Sequence, residues 1–501
     1  MACVAAMSVR SCRGEAFPAP AECGESHRSD NKNDEKESPC HQRLARLAVA
    51  IAPCAAVAAD SLPKSPRPAY PHFLDKYPAL ADSSRYSDLL DSDRYFRLGE
   101  ASSLTLGGEL RYRADSVTNP AFGLRGVHRD SYLQQRALVH ADLHLFDDAL
   151  RAFVQLANTE SWDKAVFSPY DESRNEVHQA FVDVRLPARE GSQLIGRIGR
   201  QELSYGNQTM IATRAIPNVR QTFDGGLLKY SNASGYKLDV FAVKPVVNVR
   251  EQSFNDSSSG AGGFYGAYAT LPLGREVKDD VYAYSRQRDS ATLDGFTGEE
   301  DRHTLGNRLH GNVAEVDLTW DLMYQFGQLA DADIRAWATS ATVGHAYRDL
   351  KWQPALALHF NAASSDDDPH DNKSNTFDPL FPANGKFFGE ASLTTLANLV
   401  SAGPQFVIAP RSDFTVSTTL LGMWRQTENG AVYLPGMQPL AGTSAAGGDF
   451  MGTTVDLFAR WAATENLTVD LEYLYFDVSG PIRSVGGSNS QFVSLRTSLM
   501  F

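Results

Sequence analysis

An alternating stretch near the end of the chain decides the fold: Leu467-Thr468-Val469-Asp470-Leu471-Glu472-Tyr473-Leu474-Tyr475. The odd-numbered residues are all apolar or aromatic, whereas two carboxylates, Asp470 and Glu472, lie between them. Because successive side chains of a β-strand point to opposite faces, one face of this stretch is apolar and the other is polar. The stretch therefore predicts a strand that separates an apolar medium from water.

The same two-residue period recurs from about residue 103 onward, in segments of about 8 to 12 residues separated by Gly, Pro, Asn, Asp and Ser. Clear examples are residues 104–112, 133–145, 150–156, 316–326, 414–424 and 455–461. Such segments have the length of tilted strands that cross an apolar band of about 25 Å. We count about 16–18 of them and predict an all-β fold, a transmembrane antiparallel up-and-down β-barrel wide enough for an aqueous lumen.

Aromatic residues on the apolar faces favour a membrane location, because aromatic girdles lie at membrane interfaces. They are Trp320, Tyr324, Trp424, Trp461, Tyr473 and Tyr475. The chain ends on Gln491-Phe492-Val493-Ser494-Leu495-Arg496-Thr497-Ser498-Leu499-Met500-Phe501, which resembles the recognition signal of the outer-membrane barrel assembly machinery. We therefore expect an integral protein of the Gram-negative outer membrane, in contact with the lipid bilayer and with lipopolysaccharide.

Composition excludes several classes of function. The formal net charge is −13 over 501 residues, whereas nucleic-acid-binding proteins carry a basic surplus, so no nucleic-acid partner is expected. All five cysteines lie at or before residue 54, which leaves the rest of the chain without a disulfide or a thiol nucleophile. We expect no cofactor, no metal site and no catalytic residue.

The N-terminal region predicts an export signal. Arg43 and Arg46 precede an apolar run from residue 47 to residue 59 that ends in small residues, which predicts cleavage after Ala59. Residues 1–59 are thus leader and signal peptide, and residues 1–40 are expected to be a misassigned gene start or a disordered leader. Residues 60–100 form a proline-rich periplasmic lead, and residues 101–501 form the barrel. Polar stretches near residues 251–263, 289–312, 363–390 and 426–450 are expected to be extracellular loops.

The polar parity of the strands identifies the residues expected to line the lumen. The arginines, expected to bind substrate, are Arg111, Arg113, Arg136, Arg151, Arg197, Arg335, Arg425, Arg460 and Arg496. Their acidic partners are Glu109, Asp142, Asp183, Asp456, Asp470 and Glu472. A guanidinium group holds a carboxylate with two parallel hydrogen bonds, so this lumen favours anions and suits acidic sugars. The same residues also fit a structural role, because any polar lumen pairs arginine with acidic residues to compensate charge.

Four segments occur in a fixed order over most of residues 90–501. They are Leu106-Gly107-Gly108-Glu109-Leu110-Arg111-Tyr112-Arg113, Ile198-Gly199-Arg200-Gln201-Glu202-Leu203-Ser204-Tyr205-Gly206, Pro217-Asn218-Val219-Arg220-Gln221-Thr222-Phe223-Asp224-Gly225 and Phe377-Asp378-Pro379-Leu380-Phe381-Pro382. Together they resemble the alginate export family of outer-membrane proteins, which are large monomeric barrels. The resemblance implies an electropositive constriction through which a polyuronate leaves the cell. It assigns that constriction to Arg111, Arg113, Arg136, Arg151 and Arg460, and it makes periplasmic export partners an expectation.

Three other functions stay open. A substrate-specific uptake porin for anions or oligosaccharides would use the same fold and arginines with the flux reversed. An outer-membrane barrel enzyme would need a nucleophile or metal motif, and the chain has no Gly-x-Ser-x-Gly and no His-Glu-x-x-His segment. An occluded barrel with long loops would serve binding instead of passage. Passive passage of an acidic polysaccharide or oligosaccharide is the function that the sequence favours.

Overall fold

The computed structural model describes residues 91–501, apart from residues 251, 259, 261 and 369. The leader, the signal peptide and most of the lead lie outside the described residues, so cleavage after Ala59 stays a prediction. The described chain forms a closed barrel of eighteen antiparallel strands, which confirms the predicted fold class. In chain order the barrel strands are β1 (Ser103–Thr118), β2 (Arg129–Leu145), β3 (Leu150–Trp162), β4 (Ser173–Leu186), β5 (Ser192–Gln201), β6 (Phe223–Asn232), β7 (Lys237–Pro245), β8 (Phe264–Pro272), β9 (Val277–Leu293), β10 (Phe296–Val313), β11 (Val316–Leu329), β12 (Ala332–Ala346), β13 (Ala355–Ala363), β14 (Leu399–Arg411), β15 (Phe414–Trp424), β16 (Phe450–Ala462), β17 (Leu467–Val478) and β18 (Ser490–Met500).

The barrel closes where β18 pairs with β1, beginning at the pair of Glu109 with Met500. Beyond that pair the Gly108 N–H donates to the Phe501 carbonyl at 2.7 Å, and the Phe501 N–H donates to the Gly108 carbonyl at 3.0 Å. A Cβ atom at Gly108 would lie 2.2 Å from the Leu138 carbonyl oxygen and 2.8 Å from the Phe501 ring. Position 108 therefore needs glycine, because the backbone of β2 and the Phe501 ring leave no room for a side chain there.

The two faces of the strands differ as the sequence predicts. On β17, Asp470 and Glu472 are buried inside the barrel, whereas Leu471 between them is exposed on the outer surface. Trp320, Tyr324, Trp461 and Tyr473 are also exposed on the outer surface. The barrel thus presents large apolar side chains outward.

Among the described residues, no helix is long and apolar enough to span a membrane. The two short helices, α1 (Asn384–Phe388) and α2 (Gly480–Ser484), lie in connections between strands. A short strand, Tyr95–Arg97, precedes the barrel and pairs with the first residues of β1. It extends the sheet at the end where the chain enters the barrel.

Connections at the two ends of the barrel differ in length. At one end they are short turns such as residues 146–149, 314–315 and 412–413. At the other end lie four long loops, residues 202–222, 246–263, 364–398 and 425–449. Three of these contain or overlap loops predicted from the sequence. Because outer-membrane barrels keep short turns on the periplasmic side, the long loops belong to the extracellular side.

The predicted loop at residues 289–312 is wrong, because β9 and β10 run through it and meet in a turn at Asp294 and Gly295. These strands are 17 and 18 residues long. At about 3.3 Å per residue they exceed the apolar band even when tilted. Their outer ends project beyond the membrane, so the outward face is polar there, while Ala291 and Leu293 on the inward face are buried. A register shift between Arg288 and Ala291 also breaks the two-residue period.

Candidate functional site

The lumen contains two of the long loops, which fold back into the barrel. The inner loops, as we call them, are residues 202–222 and residues 364–398. They pair with each other where the Ala212 N–H donates to the Phe381 carbonyl at 2.9 Å and the Phe381 N–H donates to the Met210 carbonyl at 2.9 Å. The sequence did not predict the first inner loop, although two of the quoted segments flank it.

Three of the predicted substrate arginines hold the tip of the first inner loop. Arg111 donates to the carbonyls of residues 215, 216 and 217 and to the Asn218 side chain, at 2.9 to 3.2 Å. Arg136 donates to the carbonyls of residues 215 and 217 at 3.0 and 2.9 Å, and its other terminal nitrogen binds Glu109 at 3.0 Å. Arg113 donates to the carbonyl of residue 216 at 3.1 Å. These guanidinium groups thus position a backbone segment across the lumen.

A second group of predicted residues forms a ladder near the short-turn end of β2 to β5. Arg151 donates to both oxygens of Asp142, at 2.8 and 2.7 Å. Arg197 donates to both oxygens of Asp183, at 2.6 and 2.8 Å, and Arg151 lies 3.6 Å from Asp183. Cations and carboxylates alternate around the wall, which compensates their charges without adding a net anion-binding surplus.

A third ladder runs across β16, β17 and β18. Arg460 and Arg496 share the Asp470 carboxylate, with Arg460 donating to both oxygens at 2.7 and 3.0 Å and Arg496 at 2.6 Å. The Arg460 side chain remains 45% exposed, the largest value for the predicted arginines that face the lumen. On the same wall Glu472 and Asp456 point inward beside Glu390 of the second inner loop.

Arg425 faces inward, but it holds another loop. It follows β15 and donates to the backbone carbonyls of Glu428, Gly430, Thr443 and Ala446 within residues 425–449. Its guanidinium is thereby surrounded by the loop backbone. The structure gives this predicted site residue an evident structural role.

The expectation that Arg335 lines the lumen is wrong. It lies on the outer face of β12, close to the extracellular end, where its side chain is 58% exposed and pairs with Asp333 at 3.0 Å. Its neighbours Ile334 and Ala336 are buried inside instead. The apolar residues face inward here because the lumen is packed with loop residues at this height, so the polar parity points outward.

Arginines that the sequence prediction missed lie on the inner face of β9 and β10. Arg286 and Arg288 approach Asp378 of the second inner loop, and Arg288 also binds Glu300 at 2.6 Å. Arg302 lies beside them, with Glu300 at 3.0 Å. The signal is the parity that Arg286 and Arg288 share with the inward tyrosines of β9, but the predicted loop at residues 289–312 hides it for Arg302.

Aromatic residues on β6 to β9 hold the opposite side of the inner loops. The Phe381 ring lies 5.0 Å from the Phe223 ring and 5.1 Å from the Phe264 ring, in edge-to-face contact. Phe264 also packs on Phe241 at 5.1 Å. All four rings are buried. One wall of the lumen therefore offers the inner loops an apolar surface, and another wall presents arginines to them.

The family model described as alginate export matches residues 102–495. The chain belongs to the alginate export family. The match covers most of the described barrel and confirms the resemblance inferred from the four quoted segments. A search of curated proteins found no match by sequence.

Solved structures share the fold of this alginate export family barrel. They include OpdQ of Pseudomonas aeruginosa, with a TM-score of 0.52 and 15% identity, covering 79% of this chain and 97% of that one. The outer membrane protein OpdK of Pseudomonas aeruginosa gives 0.52 and 11%, covering 79% and 98%. OccD3 (OpdP) of the same organism gives 0.51 and 13%, covering 88% and 99%. At these identities the likeness shows the fold alone.

Family and fold together make this alginate export family member an integral outer-membrane channel. Its lumen is lined by paired arginines and narrowed by the two inner loops.

Proposed function

We propose that the protein is a passive outer-membrane channel for acidic saccharides, with export of an alginate-like polyuronate as its activity. The observation that carries the proposal is the ladder of Arg460, Asp470 and Arg496 on the lumen wall. The family supports the same substrate class. No chemical step is part of the proposed activity, and the concentration gradient supplies the driving force.

Arg460 is the more exposed of the two guanidinium groups in this ladder. It uses Nε and Nη2 to bind Asp470, yet 45% of its side chain stays exposed. A guanidinium group in that position attracts carboxylates and repels cations in a lumen where water screens incompletely. The proposed role of Arg460 is therefore to favour acidic saccharide at the periplasmic mouth.

The test compares Arg460→Gln with Arg335→Gln in planar bilayers. Both substitutions remove one guanidinium group, but only Arg460 faces the lumen. If one lumen charge contributes about 1 kcal/mol to the preference for anions, its loss lowers the anion-to-cation permeability ratio about fivefold. We expect that fall, together with weaker current block by hexa-galacturonate, in Arg460→Gln alone. Equal ratios in the two variants and the unchanged protein would count against selection by the lumen.

The proposal includes the partners of a transport barrel in its membrane. The final strand with Phe501 is the proposed signal for the barrel assembly machinery. The exposed Arg335 at the extracellular rim is placed to contact lipopolysaccharide phosphates. Periplasmic export partners would deliver the polymer to the short-turn mouth.

A further inference from the structure

The second inner loop, residues 364–398, inserts two carboxylates among arginines of the barrel wall. Asp378 Oδ2 lies 3.2 Å from Arg286 Nη1 and 3.3 Å from Arg288 Nη2. Arg496 Nη1 donates to both oxygens of Glu390, at 2.7 and 2.8 Å. Both carboxylate side chains are buried. One loop thus contacts two arginine sites on different parts of the wall.

The contacts at these two sites are those that a uronate carboxylate would make. Each loop carboxylate lies between two guanidinium groups and accepts charge-assisted contacts. For Asp378 these are Arg286 and Arg288. For Glu390 they are Arg496 and, at 3.6 Å, Arg113 Nη2. Arg286 and Arg288 keep 17% and 25% of their side chains exposed. Phe381 of the loop lies under the Arg286 guanidinium at 5.2 Å. These contacts combine charge with an aromatic surface, the combination that suits a carboxylated sugar.

We propose that the pairs Arg286–Arg288 and Arg113–Arg496 are two carboxylate-binding sites for the transported saccharide, occupied by Asp378 and Glu390 of the second inner loop until a polyuronate displaces them. The inference rests on the proposed function and adds its regulation: the loop is a gate that the substrate itself opens. A ligand with one carboxylate can replace only one contact, whereas a polymer can replace both.

Exchange of one carboxylate for another avoids the main cost of breaking a buried ion pair. Removing a partner outright leaves a buried charge uncompensated, but an incoming carboxylate restores the pairing. At the second site Glu390 also lies beside Asp456 and Glu472, and the Glu390 N–H donates to Glu472 Oε1 at 2.8 Å.

Three guanidinium groups surround the loop carboxylate at the first site. Burial would raise the pKa of Asp378, but Arg286, Arg288 and Arg302 outweigh it and hold that pKa well below its usual range. The Leu380 N–H also donates to Asp378 at 2.8 Å. A polyuronate that replaces one of the two loop carboxylates brings further carboxylates to the other site at high effective concentration.

The experiment measures loop exposure and current with the same ligand. Ala391→Cys is introduced next to Glu390, in a chain whose five native cysteines, all at or before residue 54, are replaced by serine. The rate of thiol modification by a bulky maleimide is measured with hexa-galacturonate, with monomeric galacturonate at equal carboxylate concentration, and with neutral maltohexaose. We expect about a tenfold higher rate with hexa-galacturonate only, which corresponds to a shift of about 1.4 kcal/mol in loop position.

A matched pair of variants tests the carboxylates themselves. The double variant Asp378→Asn with Glu390→Gln removes both contacts, and Asp371→Asn removes a carboxylate of the same loop that pairs with Lys373 at the rim. We expect the double variant to show the high rate without ligand, a larger conductance and about tenfold tighter block by hexa-galacturonate. If the double variant does not reach the folded, heat-modifiable form, Glu390→Gln alone carries the comparison.

The outcomes separate the gate from the proposed function. If hexa-galacturonate blocks current but no ligand changes the thiol rate and the double variant matches Asp371→Asn, the gate is refuted while the acidic-saccharide channel stands. If all variants conduct ions and hexa-galacturonate neither blocks current nor changes the thiol rate, both proposals fail. Equal acceleration by the monomer would refute displacement at two linked sites.

Discussion

Replacing Arg111 by methionine should release the tip of the first inner loop while leaving the barrel closed. The substitution removes four hydrogen bonds, to three backbone carbonyls and the Asn218 side chain. Every one of the three carbonyls keeps a second arginine donor, Arg136 for residues 215 and 217 and Arg113 for residue 216. With about 0.5 to 1 kcal/mol for each of the four lost bonds and no orphaned backbone carbonyl, loop docking weakens by about 2 to 4 kcal/mol.

Hydrogen exchange measures this change at two loop amides. The Ala212 N–H donates to the Phe381 carbonyl, and the Val219 N–H donates to the Tyr170 carbonyl at 2.8 Å. A loss of about 2 to 4 kcal/mol raises their exchange rates about 30- to 900-fold if they open with the loop. Arg151→Met, which changes a lumen arginine that does not contact the loop, should leave both rates near those of the unchanged protein.

The double variant of Arg111→Met with Arg136→Met provides the sharper test. It removes both donors to the carbonyls of residues 215 and 217, so the loss should exceed the sum of the two single variants. Unchanged exchange at Ala212 and Val219 in this variant would refute the conclusion that arginines position the loop. The loop would then be held by its other contacts, such as the hydrogen bonds that the Asn218 side-chain amide donates to the carbonyls of residues 135, 160 and 171.

Two further predictions concern closure and pH. Gly108→Ala places a methyl group against the backbone and the Phe501 ring, so the yield of folded, heat-modifiable barrel should fall, whereas Gly226→Ala, whose nearest contact is at 3.8 Å, should fold normally. Burial and the neighbouring Asp294 carboxylate, followed by that of Asp371, raise the pKa of Asp366 to about 7. Because the docked second inner loop favours the protonated carboxyl group of Asp366, docking of that loop should weaken as pH rises from about 4 to 7. Hydrogen-exchange rates of its amides, corrected for the intrinsic pH dependence of exchange, should show this loss, and Asp366→Asn should remove it. A pH dependence that persists in Asp366→Asn would come from another titrating group.

The strands could be predicted where water and lipid lie on opposite sides of the sheet. Residues 467–475 alternate cleanly because Asp470 and Glu472 face ion-pair partners in the lumen while Leu471 faces outward. The inward direction of Arg111, Arg151 and Arg460 followed from the same period. Hydropathy carries this information since each residue takes one of two environments that differ strongly.

The prediction failed where those environments change. Around Ile334 and Ala336 the lumen is an apolar core formed with the inner loops, so the rule that polar residues face inward gave the wrong side for Arg335. On the outer ends of β9 and β10 the outward face is polar, and a register shift between Arg288 and Ala291 breaks the two-residue period, so the sequence there resembles a loop. Neither failure comes from the strand propensity of the residues. Each comes from a change in the environment of a strand face, and residues far away in the sequence set that environment.

The role of the lumen arginines could not be predicted for a related reason. Parity places Arg111 inside, but its partners are about 105 residues later in the chain, and no local pattern records that approach. The structure shows backbone carbonyls or loop carboxylates at Arg111, Arg136, Arg425 and Arg496. These are acceptors of the same chemistry that an acidic saccharide would offer.

In the proposed channel, arginine both positions the loops and attracts the substrate, which connects the two roles physically. Each guanidinium group has a fixed number of donors, so a carboxylate that gains a contact with Arg496 competes with Glu390 for it. Selectivity and loop position are then coupled by a shared set of hydrogen bonds, without a separate sensor. The coupling also limits how tightly the loop can dock. A substitution that strengthens loop docking at Arg286 or Arg496 should weaken saccharide binding at the same residue. The two effects should stay in proportion across a series of variants.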